Sequence, residues 1–216
     1  MAAWQCVRVG DERESDPLVR LSHAVDEIAR RTHDRRRIGV SHDDADGVDG
    51  TWATDDAIGF DPLPLLLALN ERRAWVVVMG QVAGIMHGST ELTGDLDLLW
   101  DGNDAQADAL AEAFASLSSE ITDAEGRPVS CDRAAFLLPK VFFRTKTASG
   151  DLCTPRLPWG ESDILSIISR ASIAIGSGVS VMYVGLPDLI AMRRAVGRSK
   201  DLRRANELEA IVSHGG

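Results

Sequence analysis

The spacing of hydrophobic residues along the chain predicts a series of amphipathic helices. Apolar side chains recur every three or four positions, which matches the helical period, in seven segments. These segments are 16–34, 61–73, 81–88, 104–121, 161–171, 186–196 and 199–213. Asp16 and Pro17 are residue types that begin a helix, and Gly197 separates the last two segments because glycine favours a helix end.

Shorter apolar runs between these segments predict five strands. The strands are 74–80, 95–100, 140–147, 151–155 and 179–184. The third and fourth flank the short turn ASG, which predicts a hairpin. Strands that alternate with helices, with one local hairpin, predict an α/β fold in which a mixed β-sheet is flanked by helices and followed by a C-terminal helical segment.

Composition places the chain among globular proteins in solution. Of its 216 residues, 44% are hydrophobic and 26% are charged. No apolar run approaches the ~20 residues that cross a bilayer, and the first residues lack the pattern of a signal peptide. We therefore expect a cytoplasmic protein without membrane contact, whose three cysteines are reduced because they lack disulfide-frame or zinc spacing.

The pattern divides the chain into three segments. Residues 1–55 predict an N-terminal extension made of one helix and an acidic, glycine-bearing loop that begins at 41 and runs to 56. Residues 56–156 predict a core of strands and helices. Residues 157–216 predict a mostly helical C-terminal segment.

Two basic segments interrupt an otherwise acidic chain. The formal net charge is −10, which argues against a surface coated by nucleic acid. However, residues 30–37 hold five Arg against one Asp, and residues 192–204 hold five Arg and one Lys against one Asp. These segments either bind a polyanion locally or are solvated helix faces.

Two aspartates lie on one face of the strand at 95–100. Side chains two positions apart on a strand point to the same side, so Asp95 and Asp97 face away from Leu96 and Leu98. Two ionised carboxylates this close repel each other. Mg²⁺ binds one or two carboxylates together with water and phosphate oxygens, and would remove the repulsion. A solvent-facing strand edge is the alternative interpretation.

A glycine turn precedes these aspartates and adds a second motif. The sequence MGQ at 79–81 ends a strand and opens a helix, which exposes backbone N–H groups suited to phosphate. Thirteen residues then separate it from DLDL at 95–98. This order resembles the signature of the nucleotidyltransferase superfamily that includes DNA polymerase β.

The resemblance extends to two longer stretches. WVVVMGQVAGIMHGSTELTGDLDLLW is similar to the "yvviGGxAxxxhGxxRxTxDlDl" region of bacterial minimal nucleotidyltransferases, among them the AbiEii/MenT-type toxins of toxin–antitoxin pairs. LPDLIAMRRAVGRSKDLRRANELEAI is similar to their C-terminal "xxDLIAMKRAAGRPKDLxDxxxL" helix pair. The resemblance implies a nucleotidyltransferase fold, and transfer of a nucleoside monophosphate from an NTP with release of pyrophosphate.

The resemblance also implies a set of site residues. Asp95 and Asp97 would hold Mg²⁺ and take part in catalysis, together with Lys200 as a phosphate contact. Asp151 is the candidate for a third catalytic carboxylate. The implied nucleotide-binding residues are Gly80, Gln81, Thr93, Arg193, Lys200 and Asp201.

The chain departs from the quoted motifs at three positions. Gln81 stands where Gly or Ser is usual, and its side chain either crowds the phosphates or adds a donor. Glu91 replaces the Arg of "GxxRxT", which removes a positive charge. Cys153 stands where relatives carry the third carboxylate, and a neutral thiol is a poor ligand for Mg²⁺. Asp151, two residues earlier, either substitutes for that carboxylate or belongs to the hairpin turn.

Three functions remain open on this evidence. The first is a Mg²⁺-dependent nucleotidyltransferase that modifies RNA, specifically tRNA, as the toxin partner of an antitoxin protein, with the basic segments on the RNA phosphates. The second is the same chemistry on a small-molecule or protein acceptor, which the acidic surface favours. The third is a non-catalytic nucleotide-binding or partner-binding protein, which Cys153 and Gln81 favour.

Overall fold

A computed structural model describes residues 16–40, 51–176 and 178–214 of the chain. Within these ranges the helices are α1 Pro17–Thr32, α2 Leu63–Glu71, α3 Gly80–Met86, α4 Ala107–Ser116, α5 Arg133–Phe136, α6 Ile164–Ser169, α7 Leu186–Val196 and α8 Ser199–His214. The strands are β1 Val77–Val78, β2 Leu96–Leu99, β3 Glu120–Asp123, β4 Pro128–Val129, β5 Lys140–Arg144, β6 Ser149–Cys153, β7 Ser172–Gly176 and β8 Val179–Tyr183. Short 3₁₀ helices cover Thr51–Ala53, Asp55–Ala57 and Asp104–Gln106.

The eight strands form one mixed sheet in the order β4-β3-β5-β6-β2-β1-β8-β7. At its centre, β2 pairs parallel with β6 and antiparallel with β1, and β1 pairs parallel with β8. Helices cover the sheet, and α7 and α8 pack together as the C-terminal helical segment. The prediction of a mixed α/β fold with C-terminal helices is confirmed.

Local signals explain where several elements begin and end. The Asp16 side chain accepts a hydrogen bond from the Leu18 N–H at 2.8 Å and so caps α1, whose buried face includes Leu21 and Ile28. Gly197 ends α7 in the left-handed region, with φ of 72°. The predicted hairpin is present as the antiparallel pair β5 and β6.

Several predicted boundaries are wrong. The helix predicted over 104–121 ends at Ser116, because Ser118 adopts a positive φ of 53° and the Ser119 hydroxyl donates to the carbonyl of Phe114 at 2.7 Å. The chain then enters β3, which pairs with β5. The strands β3, β4 and β7 were not predicted, although β7 closes one edge of the sheet.

The acidic loop predicted over 41–56 also needs correction in its described part. Residues 51–57 form two 3₁₀ helices. The Ala57 backbone packs so closely against Gly94 that a Cβ on residue 94 would collide with the Ala57 backbone. Residues 41–50 lie outside the described residues. The helix α1 of the N-terminal segment packs against α3 and β7.

The sheet centre brings three elements with candidate chemistry to one place. The strand β1 leads directly into α3, β2 lies beside β1, and β6 lies beside β2. The helix α7 packs against α3 from the other side. Among the described helices, none has both the length and the apolar character that crossing a membrane requires.

Candidate functional site

One cavity of about 190 Å³ lies between α3, β2, α7 and α8. Of the residues proposed from the sequence, it brings together Gly80, Gln81, Thr93, Asp95, Asp97, Arg193, Lys200 and Asp201. The cavity therefore gathers the proposed set except for Asp151, which lies on the strand next to Asp97. A larger cavity of about 300 Å³ beside β8 has a mainly apolar lining, with no carboxylate among the described residues that form it.

Three carboxylates lie side by side at the sheet centre. Asp97 is in β2, and Asp95 immediately precedes that strand on the same face. Asp151 is the direct partner of Asp97 in the parallel register of β2 and β6. Burial first, and then the negative charges of Asp151 and Asp56, raise the pKa of Asp95 to about 7. The cluster therefore carries more negative charge than its own surroundings stabilise.

Gly80 is required by the position of one of these carboxylates. Its φ is +63°, a left-handed conformation that favours glycine. A Cβ built on Gly80 would overlap the Oδ2 atom of Asp97. The glycine at the start of α3 thus lets the Asp97 carboxylate approach the backbone of the turn.

Gln81 holds an arginine in place. Its buried side chain donates from Nε2 to the Ser89 hydroxyl at 2.9 Å and to the Glu91 carbonyl at 2.6 Å. Its Oε1 accepts from Nη2 of Arg193 at 2.7 Å. Because both ends of the Gln81 amide are engaged, its contacts identify it as a residue that positions Arg193.

Arg193 is a buried cation with one nitrogen still available. Its Nη2 donates to the Gly80 carbonyl at 3.1 Å, whereas its buried Nη1 has no hydrogen-bond partner among the described residues. Burial, followed by the positive charge of Arg204, lowers the pKa of Arg193 to about 10. The guanidinium is still charged at neutral pH and can donate a hydrogen bond from Nη1 to an anionic ligand.

Arg204 is a site residue that the sequence interpretation missed. It is 6% exposed, and it donates to Glu91 Oε1 from Nε at 2.9 Å and from Nη2 at 2.6 Å. The quoted motifs have Arg at position 91 and Asp at position 204, so the charges at these two positions are exchanged in this chain. The Asp in "KDLxD" was the signal that could have identified it.

Asp151 lies within β6 and not in the hairpin turn. Its Oδ2 is 2.6 Å from the Nζ atom of Lys140, and its Oδ1 accepts from the Cys153 thiol at 3.3 Å. Lys140 was not proposed from the sequence, because only the β5–β6 register places it beside this carboxylate. The ion pair gives Asp151 a counterion and orients it.

Cys153 lies deeper along β6. Its register partner is Leu99, and it is 3% exposed. Burial, and then the negative charge of Asp151, raise the pKa of the Cys153 thiol far above its usual value, so it is neutral. Of these two residues, Asp151 is therefore the one whose carboxylate lies beside Asp97.

The donor set suits a magnesium ion. Within the described residues, no group of three or more His, Cys, Asp and Glu side chains is arranged around a common metal position. Asp95 and Asp97 offer two carboxylates, and Mg²⁺ binds one or two carboxylates with water and phosphate oxygens in its other positions. Asp95, whose pKa is raised, lies close to a second carboxylate, and such a pair is what a cation would stabilise.

The two basic segments differ in their surroundings. Arg193, Arg198, Lys200 and Arg204 of the second segment line the cavity. In the first segment, Arg31 and Arg35 lie over the Trp52 ring, at 5.6 and 6.0 Å from its centroid, and Arg36 and Arg37 are exposed.

Comparison with known proteins gives little beyond the structure. No protein-family model matches the chain, and no curated protein matches it either. One solved structure that is similar is an antigenic nucleotidyltransferase-like protein from Paracoccidioides brasiliensis, at 12% identity. The alignment covers 70% of this chain and 74% of that chain, with a TM-score of 0.47. A similarity of this size does not establish a shared activity.

Proposed function

We propose that the protein is a Mg²⁺-dependent nucleotidyltransferase that transfers a nucleoside monophosphate from an NTP. The observation that supports it most is the composition of one cavity, where Asp95 and Asp97 lie close to the buried cations Arg193, Lys200 and Arg204. A metal–triphosphate complex needs carboxylates for the metal and cations for the phosphates. The unpartnered Nη1 of Arg193 supplies one such contact.

The reaction forms a bond between an acceptor oxygen and the α-phosphorus, and breaks the bond from that phosphorus to pyrophosphate. Mg²⁺ held by Asp95 and Asp97 would supply neutralisation of the phosphate charge. Asp151 would take the proton of the acceptor hydroxyl, because its carboxylate lies beside Asp97. Lys140 orients that carboxylate at 2.6 Å. Arg193 and Lys200 would stabilise the charge that develops on pyrophosphate.

The acceptor in this proposal is RNA, specifically tRNA, and the protein acts as the toxin of a toxin–antitoxin pair. The exposed arginines of 30–37, with Trp52 beside them, are suited to phosphates and a stacked base. A non-catalytic nucleotide binder is the second candidate. The specific observation in its favour is the Lys140–Asp151 ion pair, which already occupies the carboxylate that would act as base.

Transfer of label from each α-labelled NTP to total cellular RNA, in the presence of Mg²⁺, tests the proposal. We expect labelled RNA in the tRNA size range with the unmodified protein and none with Asp97→Asn. The matched control is Asp26→Asn, which removes the same charge from the exposed face of α1 and is expected to retain labelling. NTP binding without transfer would support the second candidate. Label on protein or small molecules, with none on RNA, would show that the acceptor is not RNA.

A further inference from the structure

The candidate cavity has an apolar side that the phosphate and metal contacts do not use. Leu189, Met192 and Val196 of α7 line it, and Trp159 completes it from the loop that follows β6. The charged residues of the cavity lie in or directly beside β2, α7 and α8. A ligand that fills the whole cavity must therefore combine an anionic part with a flat or apolar part.

Trp159 is held in position by its polar end. Its indole Nε1 donates to the Thr154 carbonyl at 2.8 Å, and its own carbonyl accepts from the Ser162 N–H at 3.2 Å. Thr154 is itself buried and donates from its hydroxyl to the Pro139 carbonyl at 3.1 Å. These bonds satisfy the indole N–H and restrict the ring, while the side chain is only half-buried. An aromatic ring with its donor already engaged is suited to contact through its face.

We propose that Trp159 is the base-stacking residue of the nucleotide site and thereby makes the site prefer nucleotides to other polyphosphates. The inference rests on the proposed function, because it assumes a triphosphate at the charged side of the cavity. Stacking on an aromatic ring tolerates every base, since each has a π-face. Trp159 therefore contributes affinity for a nucleobase without strong discrimination among the four.

The competing account is that Trp159 only packs against the core. It contacts the edge of the hydrophobic core, so its removal lowers stability under either account. The two accounts differ in what the substitution does to ligands that lack a base. Stacking predicts a loss for NTPs alone, whereas a packing defect near the cavity weakens NTPs and inorganic tripolyphosphate together.

The test measures the dissociation constants of the four NTPs and of inorganic tripolyphosphate, each with Mg²⁺, by calorimetry on the full chain. The variants are Trp159→Phe, which keeps an aromatic face, and Trp159→Leu, which keeps apolar volume without one. Trp75→Leu is the matched control, because Trp75 is 64% exposed and lines a different cavity. Thermal unfolding of each variant confirms that the folded protein is being measured.

We expect Trp159→Leu to weaken NTP binding by about 10-fold, or about 1.4 kcal/mol, and to leave tripolyphosphate binding unchanged, because the base loses the aromatic ring on which it stacks. Trp159→Phe should retain most of the NTP affinity, and Trp75→Leu all of it. A tryptophan fluorescence change on NTP binding should be lost in Trp159→Phe. Equal losses for NTPs and tripolyphosphate, or no loss, overturn the role of Trp159 and leave the proposed function intact. An unmodified protein that binds neither ligand overturns both.

Discussion

The exchanged ion pair between Glu91 and Arg204 offers the most direct test of how the site is built. Arg204 is buried in α8 and donates from two nitrogens to one oxygen of Glu91, Oε1, and both hydrogen bonds join charged groups. Arg203 adds a longer contact of 3.4 Å to the other oxygen of Glu91. If the pair holds α8 against the loop before β2, reversing one charge should destabilise the protein and reversing both should restore it.

The expected magnitude follows from burial. The side chains are 7% exposed for Arg204 and 19% exposed for Glu91, so neither charge is well solvated. Breaking a buried pair costs about 3–5 kcal/mol, because it leaves an uncompensated buried charge. We therefore expect Glu91→Arg and Arg204→Glu each to cost about 3 kcal/mol, and the double variant to recover at least about 2 kcal/mol of their sum.

Urea unfolding followed by circular dichroism measures this coupling. The matched control is the pair Arg194–Glu209, which joins α8 to α7 at 2.7 Å and is about half exposed at both ends. Exposed pairs are worth about 0–1 kcal/mol, so its double-reversal cycle should show almost no coupling. A coupling for Glu91 and Arg204 no larger than that of the control would refute the exchanged pair as a stabilising contact.

Three further predictions concern the site and its surroundings. Gly80→Ala should abolish Mg²⁺–NTP binding, measured by calorimetry, because the new Cβ overlaps the Asp97 carboxylate. The control Gly126→Ala has a similar φ but open space around it, and should cost only about 1–2 kcal/mol of stability. Asp151→Asn should lower the rate of nucleotidyl transfer by about 10²–10⁴-fold, whereas Cys153→Ser should leave it nearly unchanged. A larger loss for Cys153→Ser than for Asp151→Asn would show that Asp151 is not the general base. Burial lowers the pKa of His87 below 6.5, so its neutral form stabilises the fold fully above pH 6.5 and that contribution is lost as the pH falls through the folded-state pKa. His87→Gln should flatten the dependence of the unfolding free energy on pH below 6.5, and an unchanged slope would contradict this reasoning.

The strands and helices at the centre of the fold could be predicted from the sequence, because each has a recognisable local sequence pattern. The β-branched run before Gly80 forms β1, and the hairpin turn between β5 and β6 has a short polar sequence. The cavity residues that were proposed come from three separate segments, yet the spacing of the glycine turn, the DLDL strand and the C-terminal helices was enough to propose them together. The local sequence patterns therefore predicted the individual helices and strands, and the order of the motifs predicted which of them contribute to one site.

The missed features depend on contacts between distant residues. β3 has the sequence EITD, which forms a strand because β5 pairs with it, while the preceding SLSS read as a continuation of a helix. The sequence around Lys140 gives no sign of a role in the site. Only the β5–β6 register places Lys140 opposite Cys153 and within hydrogen-bond distance of Asp151. Asp56 falls in an acidic stretch, and only the folded chain brings its negative charge close enough to raise the pKa of Asp95.

Two of the three departures from the quoted motifs, Gln81 and Glu91, belong to one connected network of hydrogen bonds. The Gln81 amide binds Ser89 and the carbonyl of Glu91, and it orients Arg193. Ser89 in turn donates to Glu207 of α8 at 2.7 Å. The Glu91 side chain binds Arg204 on the same helix. Decay of an unused site would leave unmatched charges and unpaired buried amides at such positions. Here each unusual side chain has a partner that fits it, and the network ends at Arg193 Nη1, an unpaired buried donor at the cavity where a phosphate is expected to bind.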